Sequence, residues 1–217
     1  MVRSHILVTY ATLNRAVSSA LLLVVIAQAA TIYEEAASFL QRGDPSSAIR
    51  LLEPKLKESP DDLRALTLMG IALTVENHQD QGNEYFRRAL AVNPRFAPAL
   101  RNLGLNEMAA GNANEARKHL EQLLQLTPND GIGHLSLAEI EFSARNFRAA
   151  LSNYEQSGEL YLKNAANLLR YAQTCVELKQ PDKAAAALER MSSEADPASH
   201  FTAGALLATL TVTVIGG

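Results

Sequence analysis

The side chains best suited to metal chemistry in this chain are five histidines and one cysteine. No two histidines have the His-Glu-x-x-His spacing that places two imidazoles and a general base on one helix face. A single cysteine cannot supply paired thiolates. The histidines are His5, His78, His119, His134 and His200. We therefore expect neither a metal site nor a cofactor from these residues.

Nucleophilic catalysis is the next possibility, and Cys175 is its candidate. This residue falls between Tyr171 and Leu178 on an apolar helix face, where a thiol packs as a small, unreactive hydrophobe. The Gly-Ile-Gly of residues 131–133 has too few glycines for a phosphate-binding loop, and no Gly-x-Ser-x-Gly turn is present to expose a serine. The sequence favours a buried structural thiol.

Two pairs of acidic residues could suggest acid–base chemistry, Glu34 with Glu35 and Asp61 with Asp62. Side chains of adjacent residues do not face each other on a helix, so neither pair forms a shared site. Both pairs lie in or near first helical turns, where carboxylates interact favourably with the helix dipole. We therefore predict that the chain is not an enzyme.

Composition points to a helical protein that does not bind nucleic acid. The 217 residues are 47% hydrophobic, with 6% aromatic residues and no tryptophan. Alanine and leucine dominate, which suits closely packed helices better than strands. The formal net charge of −3 comes without any basic stripe, so nucleic acid is not expected as a partner.

The N-terminal segment, residues 1–29, differs from the rest. It contains Arg3 and Arg15 but no acid, followed by an apolar run at residues 20–27 and the small-residue triplet Ala27-Gln28-Ala29. This order predicts a signal peptide, cleaved after Ala29, and export to the periplasm or the extracellular space. The alternative is an uncleaved membrane anchor, although the continuous apolar stretch is shorter than the ~20 residues that span a bilayer. The lone Cys175 comes too late to accept a lipid.

A fixed interval organises the remainder of the chain. The spacing from Pro60 to Pro94 equals the spacing from Pro94 to Pro128. Small residues continue the interval at Ala48, Gly82, Ala116, Ala150 and Ala184. A period of this length, about 34 residues, indicates stacked copies of one supersecondary unit. In register, the predicted copies are residues 29–62, 63–96, 97–130, 131–164 and 165–198.

Each copy is predicted to be a pair of helices. In the third copy an apolar helical pattern ends at Gly111-Asn112, because glycine readily takes the left-handed conformation that ends helices. A second pattern follows and stops at the turn around Pro128. In the fourth copy Leu162 replaces the closing proline. Because the small residues keep step beyond it, we expect the geometry to survive.

The pattern resembles the tetratricopeptide repeat. The matching residues of the second copy are Gly70, Phe86, Ala89 and Pro94, with Gly82 where alanine is usual. Those of the third copy are Leu103, Gly104, Ala116, Leu120 and Pro128. The resemblance implies an all-α, right-handed superhelical solenoid of stacked antiparallel helix pairs. It also implies a concave groove, lined by the first helix of each pair, that holds a peptide or a helix of a partner protein.

The resemblance also implies which residues line that groove. They are Arg64, Thr67, Ile71, Arg101, Asn102, Leu105, Leu135, Glu139, Phe142, Leu169, Arg170 and Gln173. On this mixed wall, Arg101, Asn102 and Arg170 are predicted to meet a carboxylate or backbone carbonyls of an extended peptide. The lysines that clamp-type members of the family also use are missing.

Residues 199–217 begin like a sixth first helix and end in an uncharged, apolar tail. They are predicted to be either an incomplete sixth repeat or a capping helix. The function predicted from the whole sequence is an exported scaffold or adaptor that binds a protein or peptide. Two alternatives stay open: an envelope assembly factor that acts by self-association, and the truncated repeat region of a larger, multidomain protein.

Overall fold

The computed structural model describes residues 32–194, with side chains as far as Arg190. The predictions for residues 1–29 and 199–217 therefore lie outside the described residues. Within the described part every regular element is helical, with no strand. The elements are α1 (residues 32–41), α2 (Pro45–Glu58), α3 (Leu63–Val75), α4 (Gln79–Val92), α5 (Ala97–Ala109), α6 (Ala113–Leu126), α7 (Gly131–Ser143), α8 (Phe147–Gln156), a 3-10 helix (Gly158–Lys163), α9 (Ala165–Glu177) and α10 (Pro181–Glu194).

The helices recur at the interval read from the sequence. The starting residues of the first helices α3, α5, α7 and α9 are separated by the same constant interval as the prolines. Those of the second helices α2, α4, α6, α8 and α10 follow it too. The all-α stack of helix pairs is therefore present, and each pair buries an apolar stripe that it could not bury alone.

Each helix pair is joined by a turn with one residue in the left-handed region. These residues recur at the same interval as the helices: Gly43, Asn77, Gly111, Arg145 and Lys179, with φ between 57° and 81°. In all five turns the next N–H donates to the carbonyl five residues earlier, as His78 does to Leu73 at 2.8 Å. This Schellman bond satisfies a carbonyl at the end of the first helix. The left-handed turn therefore forms even where no glycine is available.

The chain divides into two compact units, one ending at Pro94 and the other beginning at Arg95. In the first unit α3 packs against both α2 and α4, around buried Leu66, Met69 and Phe86. Gly70 faces the Phe86 ring so closely that an added Cβ would lie 2.5 Å from Cε1. Glycine is required there because the aromatic ring occupies the space of a side chain.

In the second unit the pairs α5–α6, α7–α8 and α9–α10 pack in sequence. The first helices also touch one another, α5 against α7 and α7 against α9. A core cluster centred on Tyr154, Tyr171 and Leu188 fills the last two pairs. These three first helices form one wall of the unit, and most of the predicted groove residues belong to them.

The fourth copy corrects one expectation. Its second helix α8 has 10 residues, whereas the other second helices have 14, and a 3-10 helix replaces its last turn. Gly158, at φ 67°, diverts the chain after the buried Ser157, and without the closing proline the chain tightens into the 3-10 form. Tyr161 then packs 4.6 Å from the Tyr171 ring. The geometry of the second helix is not kept, although α9 still begins on schedule at Ala165.

Candidate functional site

Three of the predicted groove residues, Arg64, Thr67 and Ile71, lie in the first unit, on α3. Arg64 is exposed and places its guanidinium 4.4 Å from the centre of the Tyr33 ring. Thr67 is buried, and its hydroxyl donates to the carbonyl of Leu63 at 2.7 Å. Tyr33 in turn donates to Asp62, and burial, together with that bond, raises the pKa of Tyr33 to about 12. Arg64 is therefore accessible, whereas the Thr67 hydroxyl is occupied within its own helix.

Arg101 is paired with Asp130 inside the second unit. Its Nε lies 2.9 Å from Asp130 Oδ2, and its Nη2 donates to the same oxygen. The other oxygen, Asp130 Oδ1, accepts from the N–H of Gly133 at 2.8 Å and so caps α7. The Asp130 side chain is only 5% exposed. One buried carboxylate thus starts α7 and also ties it to α5.

Arg170 is likewise paired within the chain. Its guanidinium on α9 forms an ion pair with Glu139 on α7. The Tyr154 hydroxyl, from α8, donates to Glu139 Oε1 at 2.6 Å. Burial raises the pKa of Tyr154, so this hydroxyl keeps its proton and acts as a donor. Glu139 thus links α7, α8 and α9, and the sequence revealed neither this link nor that of Arg101.

Two other predicted residues lie on α5. The Asn102 side-chain amide donates to the carbonyl of Pro98 at 2.8 Å, within the same helix. Leu105 is partly exposed on that helix. Asn102 Oδ1 is an acceptor, and its second N–H is a further donor, so the amide keeps hydrogen-bonding capacity. Next to the Arg101–Asp130 pair, Asn102 thus presents a polar side chain and Leu105 an apolar side chain on the α5 part of the wall.

Two further predicted residues, Phe142 and Gln173, line one open pocket between α7 and α9. Its volume is about 380 Å³, and its remaining lining residues are Ser143, Arg145, Phe147 and Glu177. The Phe142 and Phe147 rings meet edge to face, with centroids 6.1 Å apart. Volumes of this order accommodate ligand groups. The pocket combines an aromatic floor with an amide and two opposite charges.

A second open pocket of about 480 Å³ shares Arg145 and Phe147 with the first. It is completed by Asn146, Arg148, Ala149 and Leu178. Sequence reasoning missed Arg145, Phe147 and Arg148 because none of them lies on a first helix. One signal was available: Arg145 stands where Gly43 and Gly111 stand in other copies.

Cys175 is completely buried, as the sequence predicted. Burial raises the pKa of its thiol, which therefore stays protonated. Within residues 32–194, no three His, Cys, Asp or Glu side chains are grouped so that they could hold a metal ion. The described helices also include none with the length and apolar character needed to cross a membrane.

Comparison with known proteins identifies the repeat. The tetratricopeptide repeat family model matches residues 97–130, which contain α5 and α6. The chain is 26% identical over 167 residues to anaphase-promoting complex subunit 3 of Schizosaccharomyces pombe, covering 76% of this chain and 25% of the relative. It is 29% identical over 121 residues to the peroxisomal targeting signal receptor of Candida glabrata, covering 56% of this chain and 19% of the relative.

Solved structures share the fold at lower sequence identity. PilF of Pseudomonas aeruginosa superimposes with a TM-score of 0.68 at 19% identity, covering 85% of this chain and 89% of that structure. MamA of Desulfovibrio magneticus RS-1 gives a TM-score of 0.61, also at 19% identity, with 76% and 92% covered. These matches confirm the predicted all-α fold class of stacked helix pairs.

The fold places this chain in the class of helical-repeat proteins. Within it, residues 97–130 match the tetratricopeptide repeat. The chain spans 25% of the length of the first relative and 19% of the length of the second. What those whole proteins do is therefore not carried over directly.

Proposed function

We propose that the chain is an adaptor or scaffold that holds a peptide or helix of a partner protein against α5, α7 and α9. The observation that carries this proposal is the pocket between α7 and α9, into which the predicted groove residues Phe142 and Gln173 both contribute. Repeat proteins commonly use such extended surfaces for binding. By their names, the relatives include a subunit of a multi-protein complex and a receptor for a targeting signal.

The ion pairs along this wall support the proposal. Arg101 with Asp130 and Arg170 with Glu139 fix the spacing of the three first helices. A surface held in its bound arrangement spends less free energy on ordering when a partner docks. Each arginine has five N–H donors, and those not used on the internal carboxylates are available to a partner's backbone carbonyls. The two arginines then have two roles: they hold neighbouring first helices together and they donate hydrogen bonds to a partner.

Affinity capture from cells with the full chain as bait tests the groove. Phe142→Ala and Gln173→Arg change two walls of the pocket, and Arg101→Glu adds a charge on α5. Val92→Asp, at a residue 45% exposed on α4, is the control for a charge placed on another surface. The proposal expects one set of partners to be lost with the first three variants and kept with the control. Identical partners for all four variants would move the interface away from the groove.

Export is a separate part of the proposal and depends on residues 1–29. Their order of charge, apolar run and small residues supports secretion with cleavage after Ala29. N-terminal sequencing of the chain purified from its own cells distinguishes cleavage from a retained anchor. A mature chain that starts at Ala30 and fractionates outside the cytoplasm supports export. A chain that keeps Met1 and sediments with membranes would favour the anchor instead.

A further inference from the structure

We propose that the turn of residues 145–148, between α7 and α8, is a second docking surface, which takes an acidic segment bearing a bulky apolar side chain. It lies next to the groove but has its own pocket, the one completed by Ala149 and Leu178. The proposal goes beyond the groove function, because its residues belong to the turn and to the start of a second helix.

The turn departs from the pattern that the chain sets in its own other copies. The four equivalent turns, residues 43–46, 77–80, 111–114 and 179–182, read Gly-Asp-Pro-Ser, Asn-His-Gln-Asp, Gly-Asn-Ala-Asn and Lys-Gln-Pro-Asp. The turn at residues 145–148 reads Arg-Asn-Phe-Arg. It is the one turn of the five that combines two arginines with an aromatic residue.

Both arginines stand where local structure disfavours them. Arg145 has φ 60°, a conformation that costs free energy for a residue with a side chain. Arg148 is the second residue of α8, next to the positive end of the helix dipole. Three of the other copies have Asp80, Asn114 and Asp182 at this position, and these residue types suit the start of a helix.

The contacts described for Arg145 do little to offset this cost. Arg145 Nη2 lies 3.8 Å from Glu177 Oε1, and the two side chains are 77% and 47% exposed, so the pair contributes little to stability. Its guanidinium lies 5.7 Å from the Phe147 ring centre. Positions that break local rules without compensation are those where function is expected.

The pocket itself indicates the chemistry of the occupant. Phe147, Ala149 and Leu178 supply apolar surface, and Arg145 and Arg148 also line the pocket. A volume of about 480 Å³ is of the size that takes a large side chain with its backbone. Guanidinium groups bind carboxylates through paired hydrogen bonds. A phenylalanine or leucine flanked by aspartate or glutamate therefore fits both features.

Peptide titration of the full chain, followed by NMR of its backbone amides, tests the proposal. The probe is a pentapeptide with a central phenylalanine between pairs of acidic residues. One matched peptide has serine at the centre, and another has lysines as flanks. We expect the first peptide to shift the amides of residues 145–149 and 178, and each matched peptide to bind at least about tenfold more weakly, or about 1.4 kcal/mol. Equal binding of all three peptides would overturn the proposal.

Two variants separate this surface from the groove and from a structural role. Arg148→Asp installs the residue found at Asp80 and Asp182, and Asn114→Asp makes the equivalent change in α6. We expect both variants to raise the urea midpoint, and only Arg148→Asp to weaken the acidic peptide, by about tenfold or more. Gln173→Arg tests the groove independently.

Three further results would contradict the proposal. In the first, Arg148→Asp lowers the urea midpoint and leaves peptide binding unchanged, which is the outcome of a structural role. In the second, the acidic peptide shifts only amides of the groove wall. In the third, the peptide does not bind, whereas vesicles of phosphatidylglycerol bind the full chain and are released by Arg148→Asp. That last outcome would assign the turn to an anionic membrane surface.

Discussion

Arg101 and Asp130, on neighbouring first helices and far apart in the sequence, are joined through the carboxylate that also begins α7. Arg101 Nε lies 2.9 Å from Asp130 Oδ2, while Asp130 Oδ1 accepts from the N–H of Gly133 at 2.8 Å. One side chain thus performs two tasks, a helix cap and a link between neighbouring first helices. The packing of α5 against α7 consequently depends on the buried Asp130 carboxylate.

Asp130→Ala should remove both the cap of α7 and the link to Arg101, and should destabilise the chain by about 2 kcal/mol. Asp130→Asn is the matched control, because asparagine also caps helices, and it should lose about 1 kcal/mol or less through the missing charge. Urea denaturation of both variants gives the two values. If alanine and asparagine were equally harmful, the cap would contribute nothing to the effect.

Gly82→Ala should destabilise the chain, although alanine is the better helix former and is usual at this position of the repeat. An added Cβ would lie 2.7 Å from the backbone oxygen of Gly70 and 2.6 Å from Thr74 Oγ1, so α3 and α4 would have to separate. We expect a loss of about 1–3 kcal/mol, whereas helix propensity alone predicts a gain of about 1 kcal/mol. The sign of the change in thermal midpoint decides between the two.

Lys179→Gly should stabilise the chain by about 1 kcal/mol, because Lys179 is held at φ 57° and glycine adopts this conformation without steric cost. The reverse test is Gly111→Ala, at φ 81°, which should be destabilising by a similar amount. Apart from its chain neighbours, no atom of the described residues lies within 4 Å of the Cβ that alanine would add at Gly111, so crowding does not confuse the comparison. An unchanged urea midpoint for Lys179→Gly would show that the left-handed conformation of Lys179 does not cost stability.

His119 should make the chain less stable as the pH falls just below neutrality. Burial lowers the pKa of His119 from its ordinary value of 6.5, against an opposing attraction to Glu115. As the pH falls through 6.5, the unfolded chain therefore takes up a proton at this ring before the folded chain does, and the folded state loses stability.

The measurement is the free energy of unfolding by urea at about pH 7.5 and about pH 5.5. His119→Gln should show a smaller difference between the two pH values than the unchanged chain does. His78→Gln, at an exposed position, is the control for removing a histidine from the surface. Equal differences in all three proteins would show that His119 does not contribute.

Much of the fold was predictable because it follows from local rules that repeat. The period, the small residues Gly70 and Gly104, and the glycine turns at Gly43 and Gly111 can all be read along the chain. The shortened α8 was not predicted. The sequence shows that Leu162 replaces a proline, but it does not show that Gly158 redirects the backbone earlier in the chain. A local change there alters a whole turn of helix without disturbing the period.

The candidate site was predictable only in part. The resemblance predicted that Phe142 and Gln173 lie on one wall, and in the structure both residues line one pocket. It did not reveal that Arg170 is paired with Glu139, because that pairing depends on the distance between neighbouring helices and on side-chain rotamers. Arg145 was overlooked because it lies in the turn after α7, outside the first helices that the resemblance assigns to the groove.

Photo-crosslinking in cells tests the central claim, that the wall of α5, α7 and α9 holds a partner, most directly. A photo-reactive amino acid replaces Gln173 in the pocket in one strain and the exposed Ser152 of α8 in another. The account predicts a discrete crosslinked product with a different protein from position 173, absent from position 152 and reduced by Phe142→Ala. Products that are the same from both positions, or a product at position 173 between two copies of this chain, would contradict it.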